Sequence, residues 1–149
     1  MALPSSCDEN SCSSQIQPKH KGICPSGWHI PSNADWDILF RYVDAENDGD
    51  GYDEYGPYDS YTAGMYLKAT TGWNENGNGT DKYGFSALPG GLGYSGGSFL
   101  GVGDYGSWWS ADEYDSGVAY YRYMGYYGDS AYWGSDFKSL LFSVRCVQD

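Results

Sequence analysis

Four cysteines constrain this chain more than any other feature, because three stand near its start and the fourth stands close to its end. Cys7, Cys12, Cys24 and Cys146 form an even set, for which three disulfide pairings exist. The short step between Cys7 and Cys12 favours a small closed loop. That choice pairs Cys24 with Cys146, and closing so long a loop stabilises a fold by about 4 kcal/mol.

A zinc site is the alternative use of these thiols. It needs thiolates in close pairs or with histidines nearby, and His20 and His29 are the chain's two histidines. Disulfides fit better, and they predict a secreted or cell-surface protein. No signal-peptide pattern precedes Cys7, and no apolar run is long enough to span a bilayer.

The amino-acid composition limits the possible fold classes and binding partners. A chain of 149 residues forms one domain, and 22 glycines with 16 tyrosines favour short strands, many turns and aromatic packing. The formal net charge of -12 repels phosphate backbones and anionic lipid surfaces, so we expect no nucleic-acid partner and no polybasic membrane contact.

The organisation along the chain predicts an N-terminal Ser/Cys-rich arm over residues 1–23 and one folded domain over residues 24–149. Ser32 and Asp35 form a capping-box pattern that starts a helix ending near Val43. A second, shorter helix is predicted over residues 62–69.

Short strands are predicted over residues 107–111, 118–124 and 141–147, the last from its alternation of apolar and polar residues. Glycine- and asparagine-rich loops separate the elements of the second half. Two early helices followed by a loop-rich antiparallel sheet make an α+β domain.

Six motifs recur in a recognisable order from the third cysteine onward. They are Cys24–Pro31 (CPSGWHIP), Trp36, Leu67-Lys68, Gly79–Gly91 (GTDKYGFSALPGG), Trp108–Ser110 (WWS) and Phe142–Val147 (FSVRCV). This ordered set resembles the Fibrobacter succinogenes major paralogous domain family over most of the chain. The resemblance implies a C-type-lectin-like fold and an exported, surface-attached protein, and it implies no settled activity.

Two departures from related patterns bear on function. The upstream strand segment usual in the family is absent here, which predicts an exposed sheet edge to which a partner chain can add. The Glu-Pro-Asn, Gln-Pro-Asp and Trp-Asn-Asp signatures of calcium-dependent sugar lectins are also absent, so that sugar site is not carried over.

An acidic segment after the first helix has the spacing of a calcium loop. Oxygen donors stand at loop positions 1, 3, 5 and 7 with glycine at position 6, and the donors are Asp44, Glu46, Asp48 and Asp50. Tyr55 stands where the bidentate carboxylate of position 12 is expected. The two interpretations are a structural calcium site and a solvated acidic loop.

Aromatic residues crowd the second half, where nine tyrosines lie between Tyr94 and Tyr132 among glycine, serine and aspartate. Tyrosine supplies rigid, amphipathic contact area, and binding surfaces are often built this way. The predicted ligand-binding residues are Trp108, Trp109, Tyr114, Tyr121, Tyr123, Tyr126, Tyr127, Tyr132 and Trp133.

These observations predict a non-catalytic surface recognition module whose aromatic loops contact a glycan or a surface protein. One alternative is a structural subunit of a larger surface assembly. The other is a polysaccharide-acting hydrolase, which is less favoured because no nucleophile has a visible histidine base, although carboxylates are abundant.

Overall fold

The structure, a computed structural model, describes residues 11–149. This part of the chain has an α+β fold of two α-helices and small antiparallel sheets, which confirms the predicted class. The helices are α1 (Asn33–Glu46) and α2 (Ala63–Leu67), and residues Ser13–Gln15 and Asn74–Asn76 form 3-10 turns. The strands are β1 (Trp28–His29), β2 (Gly51–Tyr52), β3 (Asp59–Ser60), β4 (Leu92–Gly93), β5 (Phe99–Leu100), β6 (Tyr105–Glu113), β7 (Val118–Gly125), β8 (Tyr132–Phe137) and β9 (Val147–Gln148).

Helix α1 begins at the predicted capping box. The Ser32 hydroxyl accepts a hydrogen bond from the Asp35 amide at 3.2 Å, and the Asp35 carboxylate accepts one from the Ser32 amide at 2.9 Å. Trp36, Phe40 and Val43 lie one turn apart and are all buried. Because their side chains share one face, the helix packs this face into the main hydrophobic core.

The central sheet has the strand order β6-β7-β8 and is antiparallel throughout. Its inner face is the side that carries Trp108, Arg122 and Trp133, which are opposite one another across the strands. Helix α1 packs on this side, where the rings of Trp108 and Trp36 lie 6.5 Å apart.

The outer face of the same sheet is the side turned away from α1. Its residues alternate with those of the inner face along each strand. They are Tyr105, Ser107 and Trp109 on β6, Tyr121 and Tyr123 on β7, and Tyr132, Gly134 and Asp136 on β8.

The two ends of the domain are joined to each other. Strand β1 pairs with β9, and a disulfide links Cys24 to Cys146 with Cα atoms 5.8 Å apart, which confirms the predicted pairing. Cys12 is also disulfide-bonded. Its predicted partner Cys7 lies outside the described residues. None of the helices formed by residues 11–149 is long and apolar enough to cross a bilayer.

Helix α2 is shorter than the predicted span of residues 62–69. Lys68 is already extended, with φ -62° and ψ 141°, and it bridges Ala87 in parallel. The Ala69 amide then donates to the Ala87 carbonyl at 2.9 Å. Pairing with the segment around Ala87 therefore ends the helix at Leu67.

The predicted continuous strand over residues 141–147 is wrong. Leu141 and Ser143 form only isolated bridges, with Gly93 and Trp108 respectively, and regular pairing begins at Val147. The apolar alternation behind the prediction still places Phe142 against the outer face, 4.4 Å from the Trp109 ring. The side chains thus follow a strand-like pattern while the backbone does not form a regular ladder.

Candidate functional site

The outer face of the sheet forms the floor of a groove of about 330 Å³, here called the central groove. Its lining includes Tyr105, Tyr121, Tyr123, Tyr127, Asp136 and Phe142. The Tyr121 ring lies 4.6 Å from the Phe142 ring and 5.7 Å from the Tyr123 ring, so the aromatic side chains form a continuous surface. A row of rings with one carboxylate beside it offers apolar contact area together with hydrogen-bonding groups.

Two glycines allow tyrosine rings to cross the sheet. A Cβ atom at Gly134 would lie 2.7 Å from Cζ of Tyr121, and one at Gly125 would lie 2.6 Å from Cε1 of Tyr127. Any larger residue at either position would therefore push the ring away. These two glycines therefore let the tyrosine rings lie directly over the backbone of the sheet.

Tyr127 also borders two further depressions. The small groove, of about 210 Å³, is lined by Gly125, Tyr127, Gly128, Ser130 and Tyr132. The polar groove, of about 470 Å³, has a lining that includes Lys68, Glu75, Asn76, Asn78, Tyr127 and Asp129. Tyr127 is 60% exposed, and a ligand longer than one groove would have to pass over it.

A buried lysine holds the turn that carries Tyr126 and Tyr127. The Lys68 ammonium group donates to the carbonyl of Gly128 at 2.8 Å and to that of Gly125 at 3.2 Å. It also lies 5.2 Å from the centre of the Trp73 ring. Burial lowers the pKa of Lys68, and the nearby Asp129 charge partly opposes this effect. Lys68 thus ties the two sides of the turn together and is a positioning residue.

Strained backbone marks the polar groove. Glu75 and Asn76 both adopt left-handed conformations, with φ of 50° and 61°. Such conformations are uncommon outside glycine and cluster at functional sites. The adjacent Asn78 carboxamide accepts a hydrogen bond from the Trp73 amide at 3.0 Å, which fixes this loop against the core.

Three phenols of the central groove have a pKa above the ordinary value. Burial raises the pKa of Tyr123 to about 12. Burial likewise raises the pKa of Tyr121 and that of Tyr127. Each hydroxyl therefore keeps its proton and can both donate and accept hydrogen bonds.

Several other predicted ligand-binding residues do not line the central groove. Trp108 and Trp133 belong to the inner face, and Trp108 is buried in the main core. Trp109 belongs to the outer face but is itself buried beneath Phe142. Tyr114 is 54% exposed beyond the end of β6, where it packs on Tyr120 at 5.2 Å, and it lines none of the three grooves.

The predicted calcium ligands do not all lie in a loop. Asp44 and Glu46 belong to the last turn of α1, which runs beyond the predicted end near Val43. Asp48 and Asp50 follow the helix and are exposed. Within residues 11–149 no cluster of three or more His, Cys, Asp or Glu side chains is placed to hold a metal ion.

The Asp44 carboxylate is buried and already accepts three hydrogen bonds. Its oxygens accept from the Tyr58 hydroxyl at 2.8 Å, the Ser60 hydroxyl at 2.7 Å and the Thr62 hydroxyl at 2.6 Å. These bonds fasten the β2–β3 hairpin and the start of α2 to the end of α1. The structure thus gives Asp44 a structural role, and the calcium interpretation of the segment stays a prediction.

Sequence reasoning missed Asp136, Gly134 and Gly125 as parts of the site. Strand β8 was not predicted, because Gly134, Ser135 and Asp136 are poor strand formers. One pattern in the sequence could have predicted this strand. It is the alternation of Tyr132, Gly134 and Asp136 with Trp133 and Ser135. It becomes informative only when the partner strand β7 is known.

Comparison with known protein families finds one match, to the Fibrobacter succinogenes major domain, over residues 11–148. Comparison with curated proteins and with solved structures finds no match to this chain. The family match covers nearly all of the described residues, including the outer face and the three grooves that Tyr127 borders. The chain belongs to the Fibrobacter succinogenes major domain family.

Proposed function

We propose that this chain is a non-catalytic recognition module that binds a glycan on the outer face of its central sheet. The ligand lies along the central groove and crosses Tyr127 into the polar or the small groove. The tyrosine rings contact the apolar faces of sugar rings, while phenol, carboxamide and carboxylate groups bind sugar hydroxyls.

The observation that carries this proposal is the pair of tyrosine rings laid over glycines. Tyr121 over Gly134 and Tyr127 over Gly125 form broad aromatic surfaces beside open space, and such surfaces suit stacking better than the filling of a core. Asp136, Glu75 and Asp129 line the grooves, and the one cation in the three linings, Lys68, is buried beneath the turn. This charge distribution favours a neutral or cationic glycan over one rich in uronic acids.

Two finer assignments belong to the same proposal. The pairing of β1 with β9, together with the Cys24–Cys146 disulfide, supports a C-type-lectin-like fold, in which the chain ends meet and long loops carry the site. The disulfide also supports a secreted or cell-surface location, where such bonds persist. A protein ligand is the alternative occupant of the same face.

The structural-subunit alternative rests on strand β8. This strand pairs with β7 on one side. On its other side, the hydrogen bonds found within residues 11–149 lie near its start, where Ala131 bridges Ser60 and the Trp133 amide donates to Asp59. Phe137 at its end is 65% exposed. A partner strand could add along this edge, and sedimentation of the purified chain would detect such self-association.

Affinity electrophoresis and pull-down on β-glucan, xylan, mannan, chitin and peptidoglycan test the proposal. We expect retention by at least one polymer and a loss of about tenfold in affinity for Tyr127→Ala, with an unchanged melting temperature. The matched control is Tyr55→Ala, since Tyr55 is 79% exposed and lines none of the three grooves. Lack of retention by every polymer, or equal binding by Tyr127→Ala, would overturn the proposal.

A further inference from the structure

A separate apolar pocket of about 280 Å³ lies between the N-terminal half of α1 and the paired strands β1 and β9. It shares no lining residue with the three grooves that Tyr127 borders. Its volume is close to the lower end of the range typical of small-molecule sites. The pocket therefore suits a ligand the size of one ring with a short substituent.

The walls of this pocket are mainly aromatic and aliphatic. Trp36 supplies a buried wall, while Trp28 and Val147 stand at the opening with 39% and 38% of their surfaces exposed. Leu39 and Phe85 complete the apolar lining. A ligand that enters this space replaces water on apolar surface, which favours a hydrophobic body.

An unpaired guanidinium group lies in the same lining. Arg145 stacks on the Phe85 ring, with its Cζ 4.2 Å from the ring centre, and it forms no ion pair or hydrogen bond within the described residues. Asp81 is near enough to sense this charge, but its oxygens accept from the Ser86 amide at 2.6 Å and the Ser86 hydroxyl at 2.5 Å. Arg145 thus has no carboxylate partner within residues 11–149, although the formal net charge of the chain is -12.

Two further polar groups of the lining define the ligand more closely. The indole nitrogen of Trp36 is buried and has no hydrogen-bond partner among residues 11–149, so it is a second donor without a partner. Asp35 is the opposing charge, but its Oδ2 already accepts from the amide and the hydroxyl of Ser32 at 2.9 and 2.7 Å. Arg145 and the Trp36 indole nitrogen are thus two donors of the lining without partners, and Arg145 is its cation.

We propose that this pocket binds a small apolar carboxylate. The ring or branched chain of the ligand lies between Trp28, Trp36 and Leu39, and its carboxylate pairs with the Arg145 guanidinium. Guanidinium and carboxylate groups form paired, charge-assisted hydrogen bonds, which makes arginine well suited to this anion. This site is independent of the proposed glycan site.

Titration of the ¹⁵N-labelled chain with 3-phenylpropionate, followed by ¹H–¹⁵N spectra, tests the proposal. We expect saturable shifts of the Trp28 and Trp36 indole N–H signals. The uncharged amide, 3-phenylpropanamide, has the same ring and should bind about tenfold more weakly. Equal binding of acid and amide, or no saturable shift at these indoles, would overturn the assignment.

Two variants test separately the contribution of the Arg145 charge and that of the apolar walls to binding. Arg145→Gln should weaken acid binding about tenfold while leaving the weak binding of the amide unchanged. Because Arg145 also stacks on Phe85, the melting temperature of this variant is measured in parallel, and Val147→Trp provides a second test by filling the opening. Tyr127→Ala is the control and should bind the acid as the wild type does. Unchanged acid affinity in both Arg145→Gln and Val147→Trp would contradict the proposal.

Discussion

Strand β7 carries two opposite kinds of surface on alternate residues. Toward α1 it presents Arg122, which is fully buried and donates to Asp37 at 2.6 Å and to the Tyr58 carbonyl at 2.9 Å. Away from α1 it presents Tyr121 and Tyr123, whose rings line an open groove. The same backbone thus supports a buried, ion-paired arginine on one face and a row of partly exposed rings on the other. The inner face contributes to the folded core, and the outer face is the surface on which we propose that a ligand binds.

The largest expected effect is the removal of the inner-face cation. Arg122→Ala removes the guanidinium donor from Asp37 and from two backbone carbonyls, so we expect a loss of about 3–5 kcal/mol in the free energy of unfolding. Urea unfolding measures it. The control is Arg41→Ala, which removes an exposed ion pair with Asp53 and should cost at most about 1 kcal/mol. Similar small losses for both variants would break the contrast between the faces.

The second prediction concerns the buried carboxylate at the end of α1. Asp44→Asn replaces one acceptor oxygen by a donor that faces hydroxyl groups, so we expect a loss of about 1–3 kcal/mol in stability. Since Asp44 is bound by protein hydroxyls, the loss should be the same with calcium and with a chelator. Thermal unfolding under both conditions measures this. A loss that occurs only in the presence of calcium would favour the metal-loop interpretation instead.

The third prediction concerns the end of β6, where Glu113 binds the N-terminal segment. Its carboxylate accepts from the Cys12 amide at 2.8 Å, the Ser13 amide at 3.0 Å and the Ser11 hydroxyl at 2.8 Å, and it pairs with Lys138. Burial acts to raise the pKa of Glu113, but the hydrogen bonds from Lys138, Cys12 and Ser11 outweigh it and lower the pKa below its ordinary value of 4.5.

Because the folded pKa is the lower one, the unfolded chain takes up the proton first as the pH falls. The stabilisation is therefore complete above about pH 5 and is lost as the pH falls from about 4.5 through the folded pKa. Glu113→Gln should lose about 1–2 kcal/mol at pH 7 and much less at about pH 3. Urea unfolding at the two pH values checks this. An equal loss at both would show that the ionised form contributes nothing.

The smallest expected effect is at Tyr114, a tyrosine that the sequence placed among the ligand-binding residues. It is exposed and lies outside the three grooves, so Tyr114→Ala should change glycan affinity less than twofold and stability by less than about 0.5 kcal/mol. Affinity electrophoresis beside Tyr127→Ala makes the comparison. A large loss of binding for Tyr114→Ala would move the site to the β6–β7 turn.

The parts of the fold that follow from local chemistry were predictable. The Ser32–Asp35 capping box and the apolar face of α1 are encoded within one helix, and the Cys24–Cys146 bridge follows from the spacing of few cysteines. Strand β8 was not predictable, because Gly134, Ser135 and Asp136 form a strand only when β7 offers them partners. Tertiary pairing overrides their weak propensity.

The candidate site was predictable in its residue type but not in its geometry. A cluster of tyrosines is visible in the sequence. The face of the sheet on which each ring lies depends on the register of three strands, which the sequence does not show. Composition therefore predicted Tyr114, Tyr121 and Tyr127 as one group, and the structure separates Tyr114 from the other two in space. Lys68 was missed as the support of the turn, because the carbonyls that bind it lie in Gly125 and Gly128, far along the chain.

Spectra of the chain with ¹³C-labelled tyrosine, recorded during titration with an oligosaccharide of the retained polymer, test most directly whether the outer face is the binding surface. We expect the ring signals of Tyr121, Tyr123 and Tyr127 to shift together and to saturate at one ligand concentration, while those of Tyr55 and Tyr114 stay in place. Saturable binding that leaves the three outer-face rings unshifted would contradict this expectation.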